Sequence, residues 1–255
     1  MVDAQSRPAT AINRLRAALE IDISKGHPIL SGAVLLALKT AGLARRPRQL
    51  SRYFNGVPPE KRFLAVGAGG DMIDGWLCTD VAPIKRSTVY LDATTRWPMP
   101  SESFRYIACE HMIEHVPYEA GLQVISEAHR VLQRDGVFRI STPNLDVMRL
   151  LPDSSDPEVQ DYIRWFNRTF GSPAQRADET SPVHTLNLVM HEFGHVYLYD
   201  EATLRRVLER AGFRQIVRCE PKVSSHAELN DVDRHAEIIP EAANRVESLI
   251  LEATA

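Results

Sequence analysis

From residue 62 onward the chain alternates short apolar runs with helical patterns, and few folds tolerate that alternation. "RFLAV" (62–66), "WLCTDV" (76–81), "TVYLD" (88–92), "FRYIAC" (104–109) and "VFRIST" (137–142) are β-branched or aromatic runs bounded by turn residues. Between the last two, Leu122, Ile125, Ala128 and Leu132 recur at helical spacing, and Gly136 is placed to end that helix. A later helix is capped by Asp200, carries the stripe Leu204, Val207, Leu208 and Ala211, and stops at Gly212. Two more strands, "RQIVRCE" (214–220) and "VESLILEA" (246–253), complete a set of seven. Such alternation calls for an α/β fold, an open and mostly parallel sheet with helices on both faces.

Two regions depart from the rhythm. The first 55 or so residues read as helices: Ile12, Leu15, Ala18 and Leu19 share a face, and a second apolar helix follows Pro28. Pro58 and Pro59 break that pattern, which divides the chain into an N-terminal helical extension (1–58) and a main domain (59–255). Residues 150–199 are rich in Pro, Asp, Ser and Thr, with "WFNRTF" and "HTLNLVMHEF" as apolar islands. This stretch reads as an insertion after the fifth strand, a lid over the sheet's edge.

"VGAGGD" follows the first strand directly. Glycines there let the backbone approach a cofactor with its amides pointing outward. The pattern is not GxGxxG, because Met72 occupies the third glycine's place. Only residues 68–75 link the first two strands, too few for a full crossover helix. A dinucleotide pyrophosphate needs a helix N-terminus at that place, so NAD is disfavoured. Asp80 and Asp92 end the second and third strands, where open α/β sheets bind ligands. One carboxylate there can accept two ribose hydroxyls, and another an adenine amino group.

With "FLAVGAGGDMIDGWLCTDV", "LDATTRWPMPSESFRYIACEHMIEHV", "EAHRVLQRDGVFRISTPNLD" and "GHVYLYDEATLRRVLERAGF" in this order, the chain resembles the class I S-adenosylmethionine-dependent methyltransferases. The likeness covers about residues 60–220 and is greatest to a bacterial branch with a compact "GWxxxD" link; the tail from "SSHAELNDVDRHAEII" is similar to that branch's ending. The resemblance implies a Rossmann-like sheet and S-adenosylmethionine as cofactor. It implies that Gly67 and Gly69 lie under the methionine moiety, that Asp80 holds the ribose, that Asp92 and Ala93 frame the adenine, and that Ala68 and Val81 also bind the cofactor. Glu110 then stands beside the methionine portion. The chain departs from the family at Ala68, often Cys, and at Asp135, which replaces Pro in "KPGG".

Histidines stand out next. "HMIEH" (111–115) has the HxxEH spacing of inverted zinc peptidases, and "HEFGH" (191–195) the ordinary HExxH spacing. HExxH works because one helix carries both imidazoles on one face. Gly194 is a helix terminator and "VYLY" beyond it prefers extended structure, so His195 leaves the helix of His191 and that face is lost. No metal is therefore expected here. His115 reads as a packed structural residue. His111 lies one step beyond the fourth strand's end, and His191 and His195 come from the lid over the same pocket. Histidine is the side chain best poised to take a proton near neutral pH, so these three are the catalytic candidates. Histidines and acids around the pocket point to a hydroxyl acceptor. Asn144, Arg164, Trp165 and Arg168 would bind it, an aromatic face with planar donors matching a sugar ring. The expected activity is O-methylation of a glycan or another polar small molecule.

A net charge of -3 gives no reason to expect nucleic acid. Three cysteines, Cys78, Cys109 and Cys219, lack metal spacing and suit a reducing cytoplasm. "PILSGAVLLALKTAGL" is too short to span a bilayer, and no export signal is seen. The N-terminal helices are expected either to close the acceptor pocket or to form a homodimer face.

Overall fold

A computed structural model describes residues 32–70 and 72–255. The N-terminal helix expected on Ile12, Leu15, Ala18 and Leu19 lies outside the described residues. Seven strands form one sheet: β1 (Phe63–Val66), β2 (Leu77–Asp80), β3 (Val89–Tyr90), β4 (Phe104–Glu110), β5 (Leu132–Pro143), β6 (Arg214–Arg218) and β7 (Ser248–Thr254). Their order is β3-β2-β1-β4-β5-β7-β6, and β7 runs antiparallel to both its neighbours. The order reverses at β1, so the carboxyl ends of β1 and β4 flank the crevice where ligands enter such sheets.

Each central strand is buried on both faces with a period of two. Leu64, Val66, Leu77, Ile107 and Cys109 face helix α1 (Gly32–Gly56), helix α2 (Tyr118–Val131) and a later helix at 201–211. Ala65, Cys78, Tyr106 and Ala108 face the other way. No helix forms between β1 and β2, as the short link dictates. Its place is taken by Trp76 together with Leu229 and Val232 of the segment between β6 and β7. That substitution brings the 222–239 segment across the sheet and onto the site.

The helix expected to run through Leu132 to Gly136 stops earlier, at Val131, and β5 begins at once. Gly136 lies inside the strand, where a Cβ would meet Arg105 O at 3.0 Å, so a close strand approach explains this glycine. Val246 and Glu247, read as strand, instead end helix α8 (Glu241–Glu247). Residues 150–199 are helical: after α3 (Leu145–Met148) come α4 (Pro157–Phe170), α5 (Pro173–Ala177) and α6 (Pro182–His191). They have an apolar core of their own, in which Tyr162, Ile163, Phe166, Leu188 and Val189 meet Ile239 and Ala243. Helix α7 (Glu201–Ala211) returns to the sheet. Asp200 Oδ1 accepts from Thr203 N at 2.7 Å, a cap that stabilises by about 1 kcal/mol, and Gly212 (φ +103°) ends the helix.

Helix α1 packs against β3, where Gly42 sits against Tyr90, and Gln49 Nε2 donates to Arg86 O and Thr88 O. None of residues 32–56 is among those lining the cavity at the ends of β1 and β4. Among the described residues no helix is long and apolar enough to cross a membrane.

Candidate active site

The chain leaves β1 with Gly67 at φ +69° and Gly69 at φ +56°, conformations that cost other residues far more than glycine. A Cβ on Gly67 would stand 2.4 Å from Met112 Cγ. Asp80, at the end of β2, braces this loop: Oδ2 accepts from Gly69 N (2.9 Å) and Oδ1 from Ala82 N (2.6 Å). Asp92, just past β3, accepts from the amide and hydroxyl of Thr94 at 3.1 and 2.6 Å.

Gly67, Ala68 and Gly69 form one wall of a cavity of about 250 Å³ beyond the ends of β1 and β4. Glu110 and His111 form the next. Both Glu110 oxygens accept backbone amides, from Arg234 (2.7 Å) and His235 (2.9 Å), which draws the 232–239 segment over the cavity. Burial, the largest influence on Glu110, raises its pKa. Asp80, Val81, Asp92 and Ala93 stand on the neighbouring strand ends outside the cavity lining, with Val81 exposed.

His111 has φ +42°, a strained value for a non-glycine residue. Its Nδ1 lies 3.2 Å from the fully buried carboxylate of Glu114, and its Nε2 lies 2.9 Å from Ser248 Oγ. The ring stacks on His235 at 4.0 Å, and His235 Nε2 in turn sits 3.2 Å from Glu247. Burial pulls the His111 pKa down, but the Glu114 hydrogen bond and the charges of Glu114, Glu247 and Glu110 prevail and push it up to about 9. For Glu114 burial acts upward, and the surrounding histidines, His111 foremost, overcome it and hold the carboxyl down at about 2.

The two histidine motifs meet without forming either peptidase helix. HMIEH is a turn, with only Ile113–His115 in a 3-10 helix. In HEFGH, α6 ends at His191, and Phe193 (φ +59°) and Gly194 (φ +78°) reverse the chain. His195 is thereby swung to the His115 ring, 5.1 Å centroid to centroid, while His191 stays exposed at the helix end and outside the cavity lining.

The lid contributes a wall different in kind from the expected one. Arg164 pairs with Asp161 and Arg168 with Glu179, both outside the cavity lining. Trp165 packs among Tyr162, Phe166 and Phe170. Asn144 is buried ahead of α3, its backbone N–H donating to the Glu247 carbonyl. None of the four lines the cavity. Phe166, Phe170 and Phe193 do, with rings 4.8–5.9 Å apart, alongside Val189, Ile238 and Ile239. Helical periodicity explains the switch: with Arg164 and Arg168 on the wet face of α4, Phe166 and Phe170 take the inner one. His235 and Glu247 also escaped sequence reading, and Glu114 entered it only as the glutamate of the HxxEH spacing. The quoted tail contained His235, but nothing local marks it as a neighbour of His111.

Residues 45–217 match the family model of a methyltransferase domain. The chain belongs to that family, the class I S-adenosylmethionine-dependent methyltransferases. Its cofactor is S-adenosylmethionine, and the site fits it: a loop of small residues at Gly67, Ala68 and Gly69, and an aspartate at the end of each of the next two strands, Asp80 and Asp92. Among solved structures, the chain is similar to a SAM-dependent methyltransferase from Archaeoglobus fulgidus (16% identity, TM-score 0.41, covering 86% of this chain and 94% of that one). Another, from Mesorhizobium loti, is 17% identical with a TM-score of 0.41, over 83% and 98% of the two chains. Phosphoethanolamine N-methyltransferase 2 of Haemonchus contortus is 13% identical with a TM-score of 0.39, over 85% and 57%. At that distance these likenesses say nothing of the acceptor. No curated protein matches the chain.

Proposed function

We propose that this methyltransferase methylates a hydroxyl on a small molecule whose body is aromatic or otherwise apolar. The observation that carries the reading is the cavity's mixed lining, which combines the glycine loop and the His111–Glu114 pair with the rings of Phe166, Phe170 and Phe193. Bound S-adenosylmethionine supplies an electrophilic methyl on a sulfonium whose departing sulfide needs no proton. The protein's task is then to orient the acceptor, exclude water and remove the hydroxyl proton. Phe166, Phe170 and Phe193 hold and dry the acceptor's apolar body. Glu114 holds the His111 ring through Nδ1; the ring takes the proton in its neutral form, with Nε2 exchanging Ser248 Oγ for the acceptor hydroxyl, and the pKa of about 9 places the rise of turnover on the alkaline side. Gly67, Ala68, Gly69, Asp80, Val81, Asp92 and Ala93 are assigned to the cofactor. Glu110 closes the cavity wall beside them.

An apolar acceptor is preferred here to the saccharide expected from Arg164, Trp165 and Arg168 because those residues are outside the cavity lining and phenylalanines are in it. Incubation with methyl-labelled cofactor and a panel of phenols, glycosides and amines tests this reading. Label is expected on phenolic hydroxyls. Transfer confined to glycosides, or to amines, would overturn it.

A further inference from the structure

We infer that Glu114, His115 and His195 form a binding site for one divalent transition-metal ion at the edge of the active-site cavity. One donor atom from each lies within 4.8 Å of the other two, close enough for small side-chain rotations to bring all three onto a single ion. His115 Nδ1 lies 3.3 Å from Gly194 O, and His195 Nδ1 lies 2.5 Å from Val189 O. A carbonyl oxygen only accepts, so in each neutral ring Nδ1 carries the hydrogen and Nε2 the lone pair. That is the arrangement by which proteins orient metal-binding imidazoles. His115 Nε2 already points to Glu114 Oε1 at 4.0 Å. The Glu114 side chain is 0% exposed, and a buried carboxylate needs a cation or donors around it. Histidine rings are what the described residues place there.

The turn and the lid that carry these ligands are fastened before any ion arrives. Glu114 O accepts from both Val196 N (2.7 Å) and Tyr197 N (3.1 Å), and the left-handed pair Phe193–Gly194 directs His195 inward. Two imidazoles and one carboxylate suit Zn²⁺, Mn²⁺, Fe²⁺ or Co²⁺ and disfavour Mg²⁺ and Ca²⁺, which prefer all-oxygen shells. With three protein ligands the ion keeps open positions facing the cavity, which also contains His111. The chemical use of those positions rests on the hydroxyl reading above: an acceptor oxygen bound there becomes more acidic. The site itself does not depend on that reading.

His111, His235 and Glu247 form a second cluster of converging donors, and its bonds are already spent. His111 Nε2 meets Ser248 Oγ, and the two rings stack at 4.0 Å instead of pointing at a common centre. Glu247 takes His235 and the hydroxyl of Tyr162.

Equilibrium dialysis of chelator-treated full-length protein against Zn²⁺, and titration with Co²⁺ followed by its visible absorption bands, test the site. The wild type should bind one ion. His195→Gln should weaken binding roughly 100-fold or more, since losing even the groups that orient a ligand costs 10–100-fold. His235→Gln should bind as the wild type does, and Mg²⁺ should not compete. S-adenosylhomocysteine binding by His195→Gln confirms that the variant is folded. A wild type that binds no Zn²⁺ or Co²⁺, unchanged binding in His195→Gln, or loss in His235→Gln alone would overturn the site. None of these outcomes bears on which acceptor is methylated, so the two readings fail separately.

Discussion

Replacing Arg139 with methionine is expected to lower the stability of the fold by about 3–5 kcal/mol, read from chemical denaturation. Arg139 is 1% exposed in the middle of β5. Its guanidinium bonds Asp233 through Nε (2.9 Å) and Nη2 (2.5 Å) and Glu252 through Nη1 (2.6 Å), and donates to the carbonyls of Glu220 and Val223. Methionine matches the stem's bulk but leaves two buried carboxylates facing each other without a cation. The same change should reach the active site. Asp233 precedes Arg234 and His235, whose amides Glu110 holds, so the wall at 232–239 loses its anchor. Substituting Asp233→Asn and Glu252→Gln together with Arg139→Met removes the stranded charges. Much of the lost stability should return, because the penalty lies in the unpaired ions. A single variant as stable as the wild type would show that the network is not what fastens the segment to the sheet.

For the chemistry, His111→Asn is expected to lower kcat by roughly 10²–10⁴ with little change in S-adenosylhomocysteine affinity. Asparagine tolerates the left-handed backbone at this position better than most residues, so the variant removes the imidazole without adding backbone strain. Its amide can donate to Glu114 but cannot take a proton from a hydroxyl. Equal loss of cofactor affinity and turnover would mean that His111 shapes the cofactor pocket. Unchanged turnover would remove it from the proposed mechanism.

How far the sequence shows this site depends on the range of each signal. Strands buried on both faces announce themselves through β-branched runs, and Asp200 and Gly212 mark helix α7 because caps act over a few residues. The glycine loop and the two aspartates are equally local, each at the end of its own strand. Gly136 misleads because a glycine needed for close strand approach looks the same as one that ends a helix. The phenylalanine wall was hidden for a different reason. "WFNRTF" contains Trp165 and Arg168 on one side and Phe166 and Phe170 on the other, and only the docking of α4 decides which side faces the cavity. His235 meets His111 across more than a hundred residues, a pairing that arises because the 222–239 segment fills the space a missing β1–β2 helix leaves.

Calorimetric titration with S-adenosylhomocysteine tests the central assignment most directly, with the wild type compared against Gly67→Val. One molecule should bind the wild type. Binding should be abolished in the variant, whose new side chain meets Met112 at a backbone angle valine strongly resists. A folded wild type that takes up none, or a folded variant that binds as well, would contradict the account.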